Sequence, residues 1–444
     1  MFSACTHSTE NEVVFQWDIN IENPFYGETL TVAVFGCALV SSLADAYMRA
    51  NRGVTIEVVH MVNLTDARRP GFNYSHALSI ARERMRMQLL ARDAPLLIHS
   101  NLVNWQCSDF FADWLPLIES HPGFSKDEWF LSVFYAMADE NGVLLAFPPS
   151  ISFYYVSANT KVPGLADLFA SMDSITMREL VAIYYAFGGL NTGLYMIPSD
   201  FVVWDALWFQ PEFVDFPRSH VDFLNINFVA LLEAVGRSTK PIPQSTRIDS
   251  SREDARFSLA KLFMFSIDSP THLGRYGEFY GGAAFANALP LVNEDRDLLV
   301  HPISQEKWSL NVTATYKQQA LALDFLRFMQ DNTISEVQNI NSRLRFLWQV
   351  YINKARFEHH ATEIIQLDLG RGDLQKACEV STVLVLERIA GEMERTMARL
   401  PHVPDSFRSF FAETIEHHRL GLITAQEAAA RLQNRAVLQI MEGN

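Results

Sequence analysis

Cysteine is scarce in this chain: four among 444 residues, at positions 5, 37, 107 and 378, with no two at the spacing of a metal-ligand or redox pair. That excludes a zinc site built on cysteine doublets, and Cys37, Cys107 and Cys378 read as small buried hydrophobes. The usual catalytic signatures are missing too: there is no G-x-S-x-G elbow, no P-loop and no H-E-x-x-H. The adjacent histidines His359-His360 and His417-His418 would point about 100° apart on a helix and make poor metal sites by themselves. Neither a metal nor another cofactor is expected. Positive charge is in deficit, with 36 Lys+Arg against 51 Asp+Glu and a formal net charge of -15. That balance opposes the counterion release that drives nucleic-acid binding and argues against nucleic acid as a partner. No run approaches the roughly 20 apolar residues that span a bilayer, so membrane attachment would have to come from a lipid or a partner.

What is present is enough for a sizeable core: 49% of the residues are hydrophobic and 20% charged. The chain opens "MFSACTHSTENE". Phe2-Ser3-Ala4-Cys5 fits the end of a lipoprotein signal, in which an apolar residue and two small ones precede an acylated cysteine; it equally fits an ordinary polar start. Residues 6–12 read as a tether. Beyond it, "ETLTVAVFG" (28–36) is strand-like, and "ALVSSLADAYMRANRG" (38–53) spaces Leu39, Leu43 and Tyr47 four apart and closes on glycine. "VTIEVVH" (54–60) is a second strand, a helix is expected at about 75–92, and "APLLIHS" (94–100) reads as a third strand. The first lobe is therefore α/β with a parallel sheet. Open sheets of that kind bind ligands beyond the carboxyl ends of their strands. Two loops qualify there: Phe35-Gly36-Cys37, and His99-Ser100-Asn101 leading to Trp105. Gly36 allows close backbone approach, whereas Ser100 and Asn101 offer donors and acceptors. Each is also an ordinary turn residue; the set is what points to a ligand.

"ENGVLLAFPPSISFYYVSANTKVPG" (140–164) reads as a turn, an apolar strand, a Pro-Pro break and an aromatic strand ending in Asn and Gly. It resembles the first crossover of the extracellular solute-binding proteins of family 1, the carbohydrate-binding subunits of bacterial ABC importers. "ADWLPLIESHPGFSKDEWF" (112–130) is similar to the family's acidic-aromatic helix, leucine-rich turn and aspartate-tryptophan helix. "DSITMRELVAIYYAF" (173–187) resembles the helix that opens its second lobe. Residues 288–332 resemble the return segment, a proline-leucine strand and an aromatic-led strand before "ALALDFLRFM". "LITAQEAAARLQNRAVLQIME" (422–442) resembles the final helix, with Thr424 and Glu427 as a capping box.

The resemblance implies an α/β, two-lobe periplasmic-binding-protein-like fold of type II, its lobes joined by crossover strands around a ligand cleft that closes by hinge rotation. It implies a tether at 1–29, one lobe from 30–148 and 271–333, and another from 149–270 and 334–444. The crossovers would lie near Pro148-Pro149 and 267–270. A small carbohydrate ligand, permease subunits of an ABC transporter and a monomer are implied, as is a place on the extracellular face of the cell membrane through a lipid on Cys5. Ligand contacts would come from Gly36, Ser100, Asn101, Trp105, Ser152, Asp268, Ser269, His272, Tyr276 and Trp308, although core packing suits Trp308, Trp204 and Trp208 better. At 268–272 the chain departs from the family's glycine-proline-tryptophan pattern. That leaves room for a non-sugar ligand such as a polyamine, and the 51 acids leave a carbohydrate-active enzyme as a further alternative.

Overall fold

The computed structural model describes residues 23–35, 38–62, 73–103, 109–139, 141–153, 155–159, 162–187, 212–216, 218–238, 263–266, 285–301, 307–331, 350–359 and 405–441, and short pieces at 8–9, 12–13, 337, 390–391, 393–394, 397–399 and 403. All four cysteines lie outside the described residues. Two compact units divide the chain: Met1–Ile151 with Ile303–Phe346 and Val350–His360, and Ser152–Pro302 with Leu347–Gln349 and Ala361–Asn444.

The first unit begins with two short paired strands, β1 (Ser8–Thr9) and β2 (Glu12–Val13). The β-branched run β3 (Thr29–Val34) then leads through α1 (Ala38–Ala50) to β4 (Thr55–His60), and α2 (Tyr74–Ala91) leads to β5 (Leu97–His99). These bounds follow the sequence reading closely. Much later, β14 (Trp308–Leu310) and α8 (Tyr316–Gln330) return to the same unit. The sheet order is β14-β5-β3-β4, parallel among the three early strands, with β14 antiparallel on β5. Side chains alternate along β3 and both sets are buried: Leu30, Val32 and Val34 on one face, Ala33 and Phe35 on the other. Ala81, Met85 and Leu89, four residues apart on α2, join the cluster of Ala33, Phe35 and Ile98. On α1, the fully buried Tyr47 meets Phe325 and Phe328 of α8 edge-on at 5.4 and 5.1 Å. Its hydroxyl donates to Asp324 Oδ2 at 2.8 Å. Burial, and then the neighbouring carboxylate, hold that phenol far above the usual tyrosine range. The turn after α1 needs glycine at 53, where φ is 87° and a Cβ would stand 2.2 Å from the Tyr26 ring.

An aromatic cluster fills the rest of this unit's interior: Trp114, Phe124, Trp129, Phe134 and Phe147, with ring centroids 4.5–6.3 Å apart. The local elements differ from the expected ones. "LPLIES" is itself the helix α3 (Leu115–Ser120), since Pro116 falls in its first turn where no N–H partner is needed. The "KDEW" stretch is a turn, and the next helix, α4, starts only at Leu131 (Leu131–Met137). Arg356 is 4% exposed, donates to Met329 O and Gln330 Oε1 at 2.9 and 2.7 Å, and lies 3.9 Å over the Tyr351 ring. It thereby caps the carboxyl end of α8 with a cation.

The second unit holds β7 (Tyr155–Asn159), α5 (Leu165–Ala170), β8 (Ile175–Thr176), α6 (Met177–Ala186), β9 (Val214–Asp215), β10 (His220–Val221) and α7 (Ile226–Ser238). It continues with β11 (Phe263–Ser266), β12 (Phe285–Val292), β13 (Leu298–His301), β16 (Met397–Arg399), α9 (Asp405–Arg419) and α10 (Ala425–Met441). The strand β6 (Ser150–Phe153) carries the chain across the boundary: Ser150 and Ile151 pair with β15 (Val350–Tyr351), whereas Ser152 and Phe153 pair with β13. The expected return to the first lobe at 271 is therefore corrected to 303. The reason is hydrogen bonding: β12 is paired to β7 and then β8 on one side and to β13 on the other, all within the second unit. The interior there is rich in phenylalanine, with Phe213, Phe223, Phe228, Phe407 and Phe411 buried among α7, α9 and α10. Small residues at 425, 428, 429 and 436 let α10 pack closely. The expected cap is formed: Glu427 N–H donates to Thr424 Oγ1 at 3.2 Å, and Thr424 N–H donates to Glu427 Oε2 at 2.7 Å.

Candidate functional site

Three parallel strands of the first unit release their carboxyl ends along one sheet edge. Val34 stands opposite His60 in the register, and His99 follows the Ala33–Ile98 pair by one residue. Chain direction thus delivers His60, Phe35 and the His99-Ser100-Asn101 turn to the same edge, where open α/β sheets take ligands.

The turn is built on an unprotonated imidazole. His99 caps the short 3-10 helix Ser100–Leu102, and its Nδ1 accepts the Asn101 N–H at 3.3 Å. Burial lowers the His99 pKa to about 4, and the ring rests edge-on against Trp308 with centroids 5.0 Å apart. Ser100 is fixed to the start of β14, its N–H donating to Lys307 O at 2.8 Å and its Oγ accepting the Lys307 N–H at 3.2 Å. The hydroxyl proton is left to donate elsewhere. Arg82 Nε donates to Asn101 O at 2.8 Å, which fixes the backbone of Asn101. Its carboxamide has no hydrogen-bond partner among the described residues.

His60 was not singled out in the sequence, where it reads only as the last residue of a strand. In the structure its Nε2 lies 2.9 Å from Ser41 Oγ on α1, and its Nδ1 is buried with no partner among the described residues. A buried, unanswered ring nitrogen marks a place where a ligand hydroxyl or a water is needed. Nothing in the strand pattern signals this, because it arises from the pairing with Ser41.

Trp308 is 4% exposed, and its carbonyl accepts the Trp114 indole N–H at 2.9 Å. It offers no free face for stacking and acts as floor beneath His99, the packing reading weighed beside the ligand one. Ser152 lies in β6 opposite His301. Gly36, Trp105, Asp268, Ser269, His272 and Tyr276 lie outside the described residues, as do Cys5, Trp204 and Trp208. In the second unit a small depression of about 50 Å³ is lined by Met177, Phe213 and Leu231 with Arg178 and Glu212. Burial, and then the charge of Glu294, raises the Glu212 pKa there. Among the described residues no three His, Cys, Asp or Glu side chains converge as a metal site, and no helix is long and apolar enough to cross a membrane.

No family model and no curated protein matches the sequence. Solved structures do resemble this one. An extracellular solute-binding protein family 1 structure from Alicyclobacillus acidocaldarius is 13% identical, with a TM-score of 0.59 over 93% of this chain and 98% of its own. The sugar-binding protein MalE from Xanthomonas citri is 12% identical, with a TM-score of 0.61 and the same coverage of both chains. A cyclic alpha-maltosyl-1,6-maltose binding protein from Arthrobacter globiformis is 13% identical, with a TM-score of 0.55 over 94% of this chain and 100% of its own. At such identities the likeness speaks to architecture: the chain has the two-lobe α/β fold of the solute-binding proteins.

Proposed function

We propose that this chain is the solute-binding subunit of an ABC importer, capturing a mono- or oligosaccharide and delivering it unchanged to a permease. The observation that carries the reading is the row of polar groups at the carboxyl edge of the first sheet: the His60–Ser41 pair, the Ser100 hydroxyl and the Asn101 carboxamide. Hydroxyl, imidazole and carboxamide groups along one sheet edge suit a polyhydroxylated ring, since each hydroxyl both donates and accepts. The fold supports it, as one of the similar structures is named a sugar-binding protein and another a cyclic alpha-maltosyl-1,6-maltose binding protein. Ligand contacts are assigned as well to Gly36, Trp105, Ser152, Asp268, Ser269, His272 and Tyr276, with Trp105 the stacking ring. The protein acts as a monomer.

Thermal shift against separate panels of sugars and polyamines identifies the ligand, because binding to the native state raises the melting temperature by mass action. A sugar is expected to register. With that sugar in calorimetry, Asn101→Ala should weaken binding by about 1–3 kcal/mol, the cost of an unmade hydrogen bond at a desolvated site. Trp105→Ala should cost a similar roughly 1–3 kcal/mol through lost ring burial. Full affinity in both variants would remove the site from this edge, and a response to polyamines alone would replace the substrate class.

Cys5 is assigned as the acylated residue that holds the protein on the extracellular face of the membrane, on the strength of Ser3-Ala4-Cys5 and the polar stretch after it. In cells making the precursor, Cys5→Ser should shift the protein from the membrane fraction to the medium. Unchanged retention would refute the assignment.

A further inference from the structure

The outer face of α2 is unusual for a helix on an acidic protein. Its inward stripe is Ala81, Met85 and Leu89. At about 100° per residue, Ile80, Met87 and Ala91 fall on the opposite side with Leu90 next to them. Ile80, Met87 and Leu90 are 58%, 57% and 54% exposed, and they share this outward side with Glu83, whose charge Arg86 answers. Exposed arginines flank it: Arg84 on one side, Arg82 and Arg86 on the other, and Arg92 at the carboxyl cap. Residues 74–92 hold these four arginines against the single Glu83, a formal +3 within a chain of -15. Glu83 is 3.6 Å from Arg86, and Arg84 has no carboxylate partner among the described residues.

We propose that this face of α2 docks on an anionic lipid surface, with Ile80, Met87 and Leu90 entering the boundary of the acyl chains and the arginines meeting lipid phosphates. An apolar ridge bordered by cations is the pattern of an interfacial helix. The ridge is convex, and a fluid bilayer receives a convex ridge without a matching groove. Local charge argues for lipid phosphate over a second copy, because a symmetric pair would set the same arginines of α2 against each other, whereas lipid phosphates answer them. The inference is independent of the ligand and of Cys5.

The test uses the full chain with Cys5→Ser, so that no acyl group contributes, sedimented with vesicles of equal parts phosphatidylglycerol and phosphatidylcholine or of phosphatidylcholine alone. Binding is expected only to the anionic vesicles, with release in about 0.5 M salt, where screening is nearly complete. Arg84→Gln and Arg86→Gln should each weaken it about five-fold. Met87→Ser should weaken it several-fold with the charge unchanged. These side chains are exposed, so melting temperatures should hold within a few degrees, and a variant that melts early is replaced by Ile80→Ser. Equal sedimentation with both vesicle types, or full binding by all variants, would overturn the proposal. So would self-association in the ultracentrifuge that Met87→Ser abolishes, which would make a second copy the occupant.

Discussion

Trp129→Ala should destabilise the first unit by about 3–5 kcal/mol, the range for removing a large buried aromatic side chain. Trp129 is 1% exposed and stacks on Phe124 at 4.5 Å, with Phe134 and Phe147 within 6.3 Å. Truncation empties the centre of that cluster, and three rings cannot all shift into the space. A second loss adds to the first: the indole N–H donates to Gly123 O at 2.9 Å, and that carbonyl would lose its partner. The residue also bridges Asn353 through its backbone, so the damage reaches the returning segment 350–360. Urea unfolding followed by far-ultraviolet dichroism measures the cost, and Trp129→Phe, which keeps a ring but drops the donor, should lie between. A loss below about 1 kcal/mol would show that the cluster collapses freely and that the rings are not interlocked.

Stability should also fall steeply on mild acidification. His99 and His121 each accept a backbone N–H at Nδ1, from Asn101 at 3.3 Å and from Gly123 at 3.0 Å, so each ring must be neutral in the fold. Burial brings both pKa values down from 6.5 to about 4; for His121 the nearby Asp324 and Arg327 act as smaller, opposing influences. Between those pH values the unfolded chain binds more protons than the folded one. Stability contributed by these groups is therefore complete above about pH 6.5, declines as the pH falls toward 4, and changes no further below that. At pH 5 the loss is about 2 kcal/mol per histidine, before most carboxylates begin to protonate. Urea midpoints at pH 7 and pH 5 would measure it. A double variant with His99→Asn and His121→Asn keeps an acceptor for the second N–H onward and removes the titration. It should show a much flatter pH response, and an unchanged slope would place the acid sensitivity elsewhere.

The sequence disclosed what short-range physics controls. The alternation of "TLTVAV" and the Thr424–Glu427 spacing dictate a strand and a capped helix from their own residues, and both stand where expected. Partner choice is different in kind. Residues 285–292 are strand-like under any reading, yet membership of the second unit depends on pairing with β7, more than a hundred residues earlier in the chain. Local periodicity holds no record of that. The candidate site divides the same way: Ser100 and Asn101 can be singled out because they follow a strand that ends in a polar turn. His60 cannot, since an Nδ1 without a partner among the described residues arises only in the fold that brings Ser41 to Nε2.

The pairing of β5 with β14 has a consequence for biosynthesis. His99 meets Trp308, so one border of the first sheet waits for a partner encoded 209 positions downstream. At about 5–20 residues per second of translation, that wait is roughly 10–40 s on the ribosome. Throughout it, the amides and carbonyls along one side of Leu97–His99 stand open to any passing extended segment. A nascent chain halted anywhere before Leu310 cannot seal its own first sheet, and a fragment ending at Ile151 would keep that border open permanently. Completion of the early strands is thus tied to the late ones, and a holding chaperone during synthesis would find its client in this one unfinished border.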